Sequence, residues 1–447
     1  MPTLVILLGG VLLQSMNILM LATVLPSIIN ELGGVAVLSW PTTAYLALSI
    51  VAGSCAGMLA TTVGARTAYC SGVAIFCAGA LLCSLATTMG WIVAGRLVQG
   101  FGGGLEAAVA YILVRHTFPS SIWSRVIALM STSWSVSVLI GPLVGGLFAH
   151  FGNWRNAFFT TAAVAGTLAI GALFVLPTAA PQSASPPRVP GARIALIGVA
   201  IVATSLTSVV GALPVKIALI VAAIGALALM VRLNRSASAP LLPRDAFSLR
   251  TPTGAALWLA LLLCITYAPL QLYVPLFLQH LHGLDPLAAG LSVASGSLAW
   301  TAASLATAGA SERSRDRLML TGPATMGLSL IGIAALAPHS TLLLLVPAIV
   351  LLGLGMGQCW PFVAQRIMEG AKTGDETVAA SAVPTVQQMG FALGAAIAGL
   401  IGNASGLTNA NALDAIVRAA SWVPGSFVAP AILALLTGLR LRQLRKA

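Results

Sequence analysis

The sequence predicts an all-α polytopic membrane protein, and three observations predict it: the scarcity of charge, the recurrence of apolar runs about twenty residues long, and the placement of the basic residues. Asp, Glu, Lys and Arg make up 7% of the 447 residues, against about 25% in soluble domains. Hydrophobic residues make up 58%, and the mean hydropathy is +0.98. So little polar surface cannot cover a water-exposed globule of this size, which excludes a soluble enzyme, a nucleic-acid-binding module and a disordered chain.

A hydrocarbon core about 30 Å thick takes about 20 apolar residues per helix. Apolar runs separated by turns and charges predict fourteen spans, at about 3–26, 38–60, 67–88, 90–114, 122–149, 157–177, 193–212, 214–233, 253–280, 285–310, 317–338, 341–368, 377–403 and 422–440. The first run has no basic leader and no clean small-residue cleavage site, so it is expected to be a retained helix. The expected organisation is a bundle at 1–177, a Pro/Ser/Ala-rich cytoplasmic linker at 178–192, two additional helices at 193–234, a polar connection at 235–252 and a second bundle with a basic tail at 253–447.

The basic residues test the order of these spans. With a cytoplasmic amino terminus, eighteen of the 22 bases fall in inner loops or the tail, from Arg66, Arg115 and Arg125 at one end to Arg440, Arg442, Arg445 and Lys446 at the other. Arg155, Lys216 and Arg418 fall outside, and Arg96 lies within a span. This is the positive-inside pattern, with both termini cytoplasmic. It accounts for the net charge of +12 without any nucleic acid partner.

An internal repeat is visible in the glycines. Gly100, Gly102 and Gly104 (GFGGG) in span 4 match Gly353, Gly355 and Gly357 (GLGMG) in span 12, and GPLVGGLF from Gly141 matches GAAIAGLI from Gly394. Both pairs are 253 residues apart. One offset thus maps spans 1–6 onto spans 9–14 and leaves two helices inserted between two six-helix bundles. Repeats of this kind build alternating-access carriers with a midplane site, although small-residue runs also serve plain helix packing.

GRLVQGFGGG (95–104) resembles the R-x-x-Q-G signature of the fourth helix in the major facilitator superfamily, and GPLVGG (141–146) resembles its antiporter motif in the fifth. NWRNAFF (153–159), APLLPRDAF (239–247) and VQQMGFALG (386–394) are similar to stretches of its fourteen-span drug:proton antiporter branch. The resemblance implies the major facilitator fold and transport without ATP. Two departures stand out. NILMLATVLP puts Asn17 where that branch has an acid in helix 1, and GMLATTVGAR puts Thr61 and Thr62 where its second loop has an acid and a base.

Ionisable groups inside lipid are costly and therefore informative. Nine of the ten acids lie in loops or at span ends, and Glu106 alone is deep. At about 100° per residue it points nearly the same way as Gln99, seven positions earlier, with Arg96 on the same polar face. Arg96 and Glu106 are expected to couple transport to protons; the alternatives are that Glu106 neutralises Arg96 or a neighbouring helix, or lies near the cytoplasmic mouth. Gly141, Pro142, Gly145 and Gly146 predict a bend in span 5 that serves as a hinge, or static packing.

Gln14, Asn17, Gln99, Trp134, Tyr267, Gln271, Trp300, Gln358, Trp360, Gln387 and Gln388 are candidate substrate contacts, each equally compatible with packing or interhelical hydrogen bonding. The offset of 253 places Tyr267 opposite Gln14. A cavity of this composition suits an amphipathic, uncharged or weakly cationic molecule. The six cysteines all sit in apolar runs without metal-ligand spacing, so neither a metal site nor a disulfide framework is expected.

No P-loop and no H-E-x-x-H is present, and the five His sit at span ends. The expected function is proton-coupled export of a hydrophobic or amphipathic small molecule, as in drug efflux, by a monomer in the bacterial inner membrane. It would use the proton gradient and no cofactor, with a small-molecule substrate, protons and membrane lipid as its partners. The alternatives are an uncoupled facilitator or lipid-like substrate carrier of the same fold, and a non-transporting membrane scaffold or sensor.

Overall fold

A computed structural model describes residues 2–33, 40–151, 153–178, 190–207, 210, 212–237, 239–338, 342–407 and 413–446; most of the 178–192 linker and His339 lie outside them. Sixteen α-helices account for the regular structure of the described residues, apart from a 3₁₀ turn at Ser120–Ile122. In chain order they are α1 (Pro2–Leu32), α2 (Trp40–Val63), α3 (Ala65–Ser84), α4 (Met89–Thr117), α5 (Trp123–His150), α6 (Trp154–Val175), α7 (Gly191–Leu206), α8 (Leu213–Arg235), α9 (Pro252–Leu272), α10 (Val274–His282), α11 (Pro286–Thr307), α12 (Glu312–Leu336), α13 (Leu342–Glu369), α14 (Glu376–Ala404), α15 (Leu413–Ser426) and α16 (Val428–Lys446).

Twelve segments among the described residues are long and apolar enough to cross a bilayer, two fewer than the fourteen expected. The two that fall short do so for different reasons. α7 has 16 residues, about 24 Å at 1.5 Å per residue. α11 is long enough at 22 residues, but Ser292, Ser295, Ser297, Thr301 and Ser304 dilute its hydropathy. Two of the twelve are broken helices. Pro275 follows the break between α9 and α10, and Pro430 the break between α15 and α16, each ring clashing with the carbonyl four residues earlier.

The helices gather into two compact units. Unit 1 is Met1–Ile194, Ser236–Arg244 and Lys372–Thr385, and unit 2 is Ala195–Arg235, Asp245–Ala371 and Val386–Ala447. Within unit 1, α4 packs against α2 and α3, and α1 against α5 and α6. Within unit 2, α13 packs in the same way against α11 and α12.

The repeated glycines set these contacts. A Cβ on Gly100 or Gly104 would overlap the backbone of Tyr45 or Ser49 on α2, and one on Gly102 would overlap Gly72 and Phe76 on α3. In unit 2, Gly353 and Gly357 meet Gly296 and Trp300 on α11, and Gly355 meets Gly322 and Met326 on α12. Only the absence of a side chain allows backbones this close. Gly141 on α5 rests on Met16 and Leu19 of α1, as Gly394 on α14 rests on Ile265 and Ala268 of α9.

The contact partners also correct the expected register. The second helices match at 251 residues (Tyr45 with Gly296), the third at 250 (Phe76 with Met326) and the first at 249 (Met16 with Ile265). The offset of 253 therefore holds for the glycine helices but not for α1 and α9. Leu263, rather than Tyr267, occupies the Gln14 position.

Candidate functional site

In unit 1 the polar face of α4 is buried, with Arg96 and Gln99 fully enclosed and Glu106 3% exposed. Arg96 Nη1 donates to Asn17 Oδ1 on α1 and to Gln99 Oε1 at 2.8 Å, and its Nε donates to the Pro41 carbonyl at 3.3 Å. The guanidinium carbon lies 4.3 Å from the centre of the Tyr45 ring, a cation–π contact. The helix wheel places Glu106 on the same face, but ten residues of helical rise separate it from Arg96 by about 15 Å. The two do not pair.

Glu106 has surroundings of its own. Its carboxylate and the Tyr69 hydroxyl of α3 converge on Gly10 of α1, where an added Cβ would occupy the carboxylate's place. The Tyr69 hydroxyl also donates to the Ile6 carbonyl at 3.1 Å. Glu106 Oε1 is buried without a hydrogen-bond partner, and no salt bridge reaches the residue among the described residues. Beside these groups, a polar seam joins α1 to α5. The Ser15 and Ser137 hydroxyls are 2.6 Å apart, and Ser137 donates to the Leu12 carbonyl at 3.0 Å.

Unit 2 contains an aromatic cluster instead. The Tyr267 and Trp300 rings meet edge to face with centroids 5.2 Å apart, Trp360 stands 6.3 Å from Trp300, and Phe391 stands 6.4 Å from Tyr267. Trp300 Nε1 and Gln388 Oε1 are buried without partners.

The remaining candidates are placed less centrally. Gln14 is buried in α1, Trp134 and Gln387 are half-buried, and Gln271 is exposed. Gln358 donates to Thr325 at 3.2 Å, away from the aromatic cluster. On α5, Gly141 and Gly145 pack on α1, while Pro142 is exposed and Gly146 faces open space in a continuous helix.

Tyr45, Tyr69, Gly10 and Phe391 were not among the candidates. One of them carried a usable signal: Tyr45 lies several residues inside its expected span, whereas Tyr69 lies near the start of α3, where an interfacial tyrosine is ordinary.

The loops differ between the units as well. Thr61 and Thr62 bond to carbonyls of their own helix, and unit 1 instead joins Arg244 to Asp375, through backbone and side chain, at 2.9 Å each. In unit 2, Arg366 faces Glu312 at 3.1 Å, Asp316 at 3.6 Å and Glu369 at 3.3 Å.

Two repeats built on one glycine framework, with charged and aromatic side chains enclosed in apolar helices, define a multi-pass membrane carrier. Residues 7–395 match the Major Facilitator Superfamily, and the chain belongs to that family of transporters, which are not enzymes. A "Probable multidrug-efflux transporter" of Mycobacterium tuberculosis is 35% identical over 415 residues, covering 90% of this chain and 87% of its own. The tetracenomycin C resistance and export protein of Streptomyces glaucescens is 27% identical, covering 90% of this chain and 75% of its own. The crystal structure of the human organic anion transporter MFSD10 superposes with a TM-score of 0.75 at 11% identity, covering 98% of this chain and 99% of its own. At that identity the likeness concerns the fold alone.

Proposed function

We propose that this transporter exports amphipathic small molecules across the bacterial inner membrane in exchange for protons, with both termini cytoplasmic and one chain as the working unit. The efflux relatives support the direction, and Glu106 carries the coupling. It is a buried acid with no cationic partner and one unpartnered oxygen. Its protonation can therefore follow whichever side of the membrane it communicates with. The Tyr267–Trp300–Trp360 cluster supplies an apolar contact surface for cargo, and α5 flexes near Pro142, where the ring removes one helical hydrogen bond.

Flux in proteoliposomes under an imposed pH gradient tests this, using fluorescent amphipathic dyes of each charge type. The wild type should show gradient-driven flux. Glu106→Gln, correctly inserted, should retain only gradient-independent exchange. Unchanged pH dependence in that variant refutes the role of Glu106. Asn17, Thr61 and Thr62, standing where the antiporter branch has charges, favour a second reading as an uncoupled facilitator; gradient-independent flux in the wild type would select it.

A further inference from the structure

The surroundings of Arg96 hold more donors than acceptors. A guanidinium can only donate hydrogen bonds, so Asn17 and Gln99 must turn their amide oxygens toward it and their NH₂ groups away. Arg96 Nη2, Asn17 Nδ2 and Gln99 Nε2 are consequently all buried without a hydrogen-bond partner. All three residues are 0% exposed.

Among the described residues no carboxylate forms a salt bridge with Arg96. Glu106 lies about 15 Å along the helix, and among the described residues Glu31 pairs with Arg155 and Asp375 with Arg244. The Pro41 carbonyl and the Tyr45 ring provide partial negative charge only. A buried cation and three unmatched donors are costly as they stand. An acceptor-only group of one negative charge at Arg96 Nη2 would balance the guanidinium, and a carboxylate also suits its fork.

We infer that Arg96, Asn17 and Gln99 form a binding site for a monoanion, either the carboxylate of an amphipathic cargo or a small inorganic anion such as chloride. Asn17 is the specificity-determining residue. An Asp at this position would supply the negative charge internally and close the site, whereas the amide leaves the countercharge to a ligand. The inference rests on the exporter reading only in taking the cargo to be amphipathic, and it reverses the expectation of an uncharged or weakly cationic molecule.

The test is equilibrium binding to the purified full-length protein in nanodiscs, with no gradient, so that its failure is separable from failure of proton coupling. The probes are 1-naphthaleneacetate, its neutral amide and (1-naphthylmethyl)trimethylammonium in low-salt zwitterionic buffer, with sodium chloride titrated separately against sodium methanesulfonate. A carboxylate binding at least tenfold more tightly than the amide supports the site with cargo as the source. Stabilisation by chloride, without discrimination among the naphthyl probes, supports it with a free ion as the source. In either case Asn17→Asp, which changes one atom and spares the packing, should remove the anion preference. Equal binding of all three probes with no chloride effect, or an anion preference that survives in Asn17→Asp, overturns the proposal.

Discussion

Units 1 and 2 share a backbone framework and exchange their chemistry. Arg96, Gln99 and Glu106 on α4 correspond at the 253-residue offset to Ile349, Leu352 and Cys359 on α13. Tyr45, which underlies Arg96, corresponds to Gly296, and Gly296 packs against Ile349. The exchange also runs the other way. Trp300, Trp360 and Tyr267 correspond to Ser49, Ala107 and Ile18, so that unit 1 lacks the aromatic cluster and unit 2 lacks the charges. Helix approach constrains the glycines in both units, whereas the positions beside them are free to specialise. One unit thereby encloses charged side chains, and the other encloses aromatic ones.

The largest effect should come from breaking what is shared. Gly100→Leu and Gly353→Leu each drive a side chain into the backbone of the neighbouring helix, at Tyr45 and Gly296 respectively. Overpacking of a well-filled core costs about 1–3 kcal/mol and more where backbone must move. Both variants should lose monodisperse protein in detergent, as read by fluorescence-detected size exclusion. Normal behaviour of one variant alone would show that the framework is not equivalent in the two units.

The next effects separate the specialised halves. Gly10→Ala places a methyl where the Glu106 carboxylate lies, so it should reproduce the loss of gradient-driven flux expected of Glu106→Gln while cargo still binds. Trp300→Phe retains a ring beside Tyr267 and Trp360 but removes an indole N–H that has no partner. It should weaken cargo binding several-fold in titrations and leave the pH dependence of flux unchanged. If Trp300→Phe shifts the pH dependence, the division of labour between the units is wrong.

How far the sequence foretold this arrangement depended on whether a feature is local. Spans were legible because about twenty apolar residues suffice for one, but the expected count failed at α7, which is short, and at α11, whose serines lower its hydropathy. The repeat was legible from glycine spacing, yet a single offset could not describe α1 and α9, because loops of unequal length shift the register between helices. Arg96, Gln99, Asn17 and Glu106 were visible as polar residues in apolar runs. Neutralisation of Arg96 by Glu106 was one alternative, suggested by their shared face of α4, and the rise of ten residues between them excludes it. Tyr45, Tyr69 and Gly10 come from neighbouring helices, and their facing depends on helix rotation that periodicity in one chain segment does not report.

The smallest effect concerns adjacent glycines on α5. Gly145 packs against Met20 and Thr23 of α1, whereas nothing lies within 4 Å of an added Cβ at Gly146. Replacing Gly by Ala in a helix interior stabilises it by about 1 kcal/mol where there is room. Gly146→Ala should therefore raise the melting temperature slightly. Gly145→Ala should lower it, because Met20 presents a backbone carbonyl that cannot turn aside. Unit 2 already has Ala398 at the Gly145 position, fully buried, so the close approach of α1 to α5 is tighter than its counterpart there. Transport rates then assign the hinge. If α5 flexes at this site, Gly146→Ala slows flux in proteoliposomes despite its added stability, and unchanged flux leaves Pro142 and Gly141 as the flexible point.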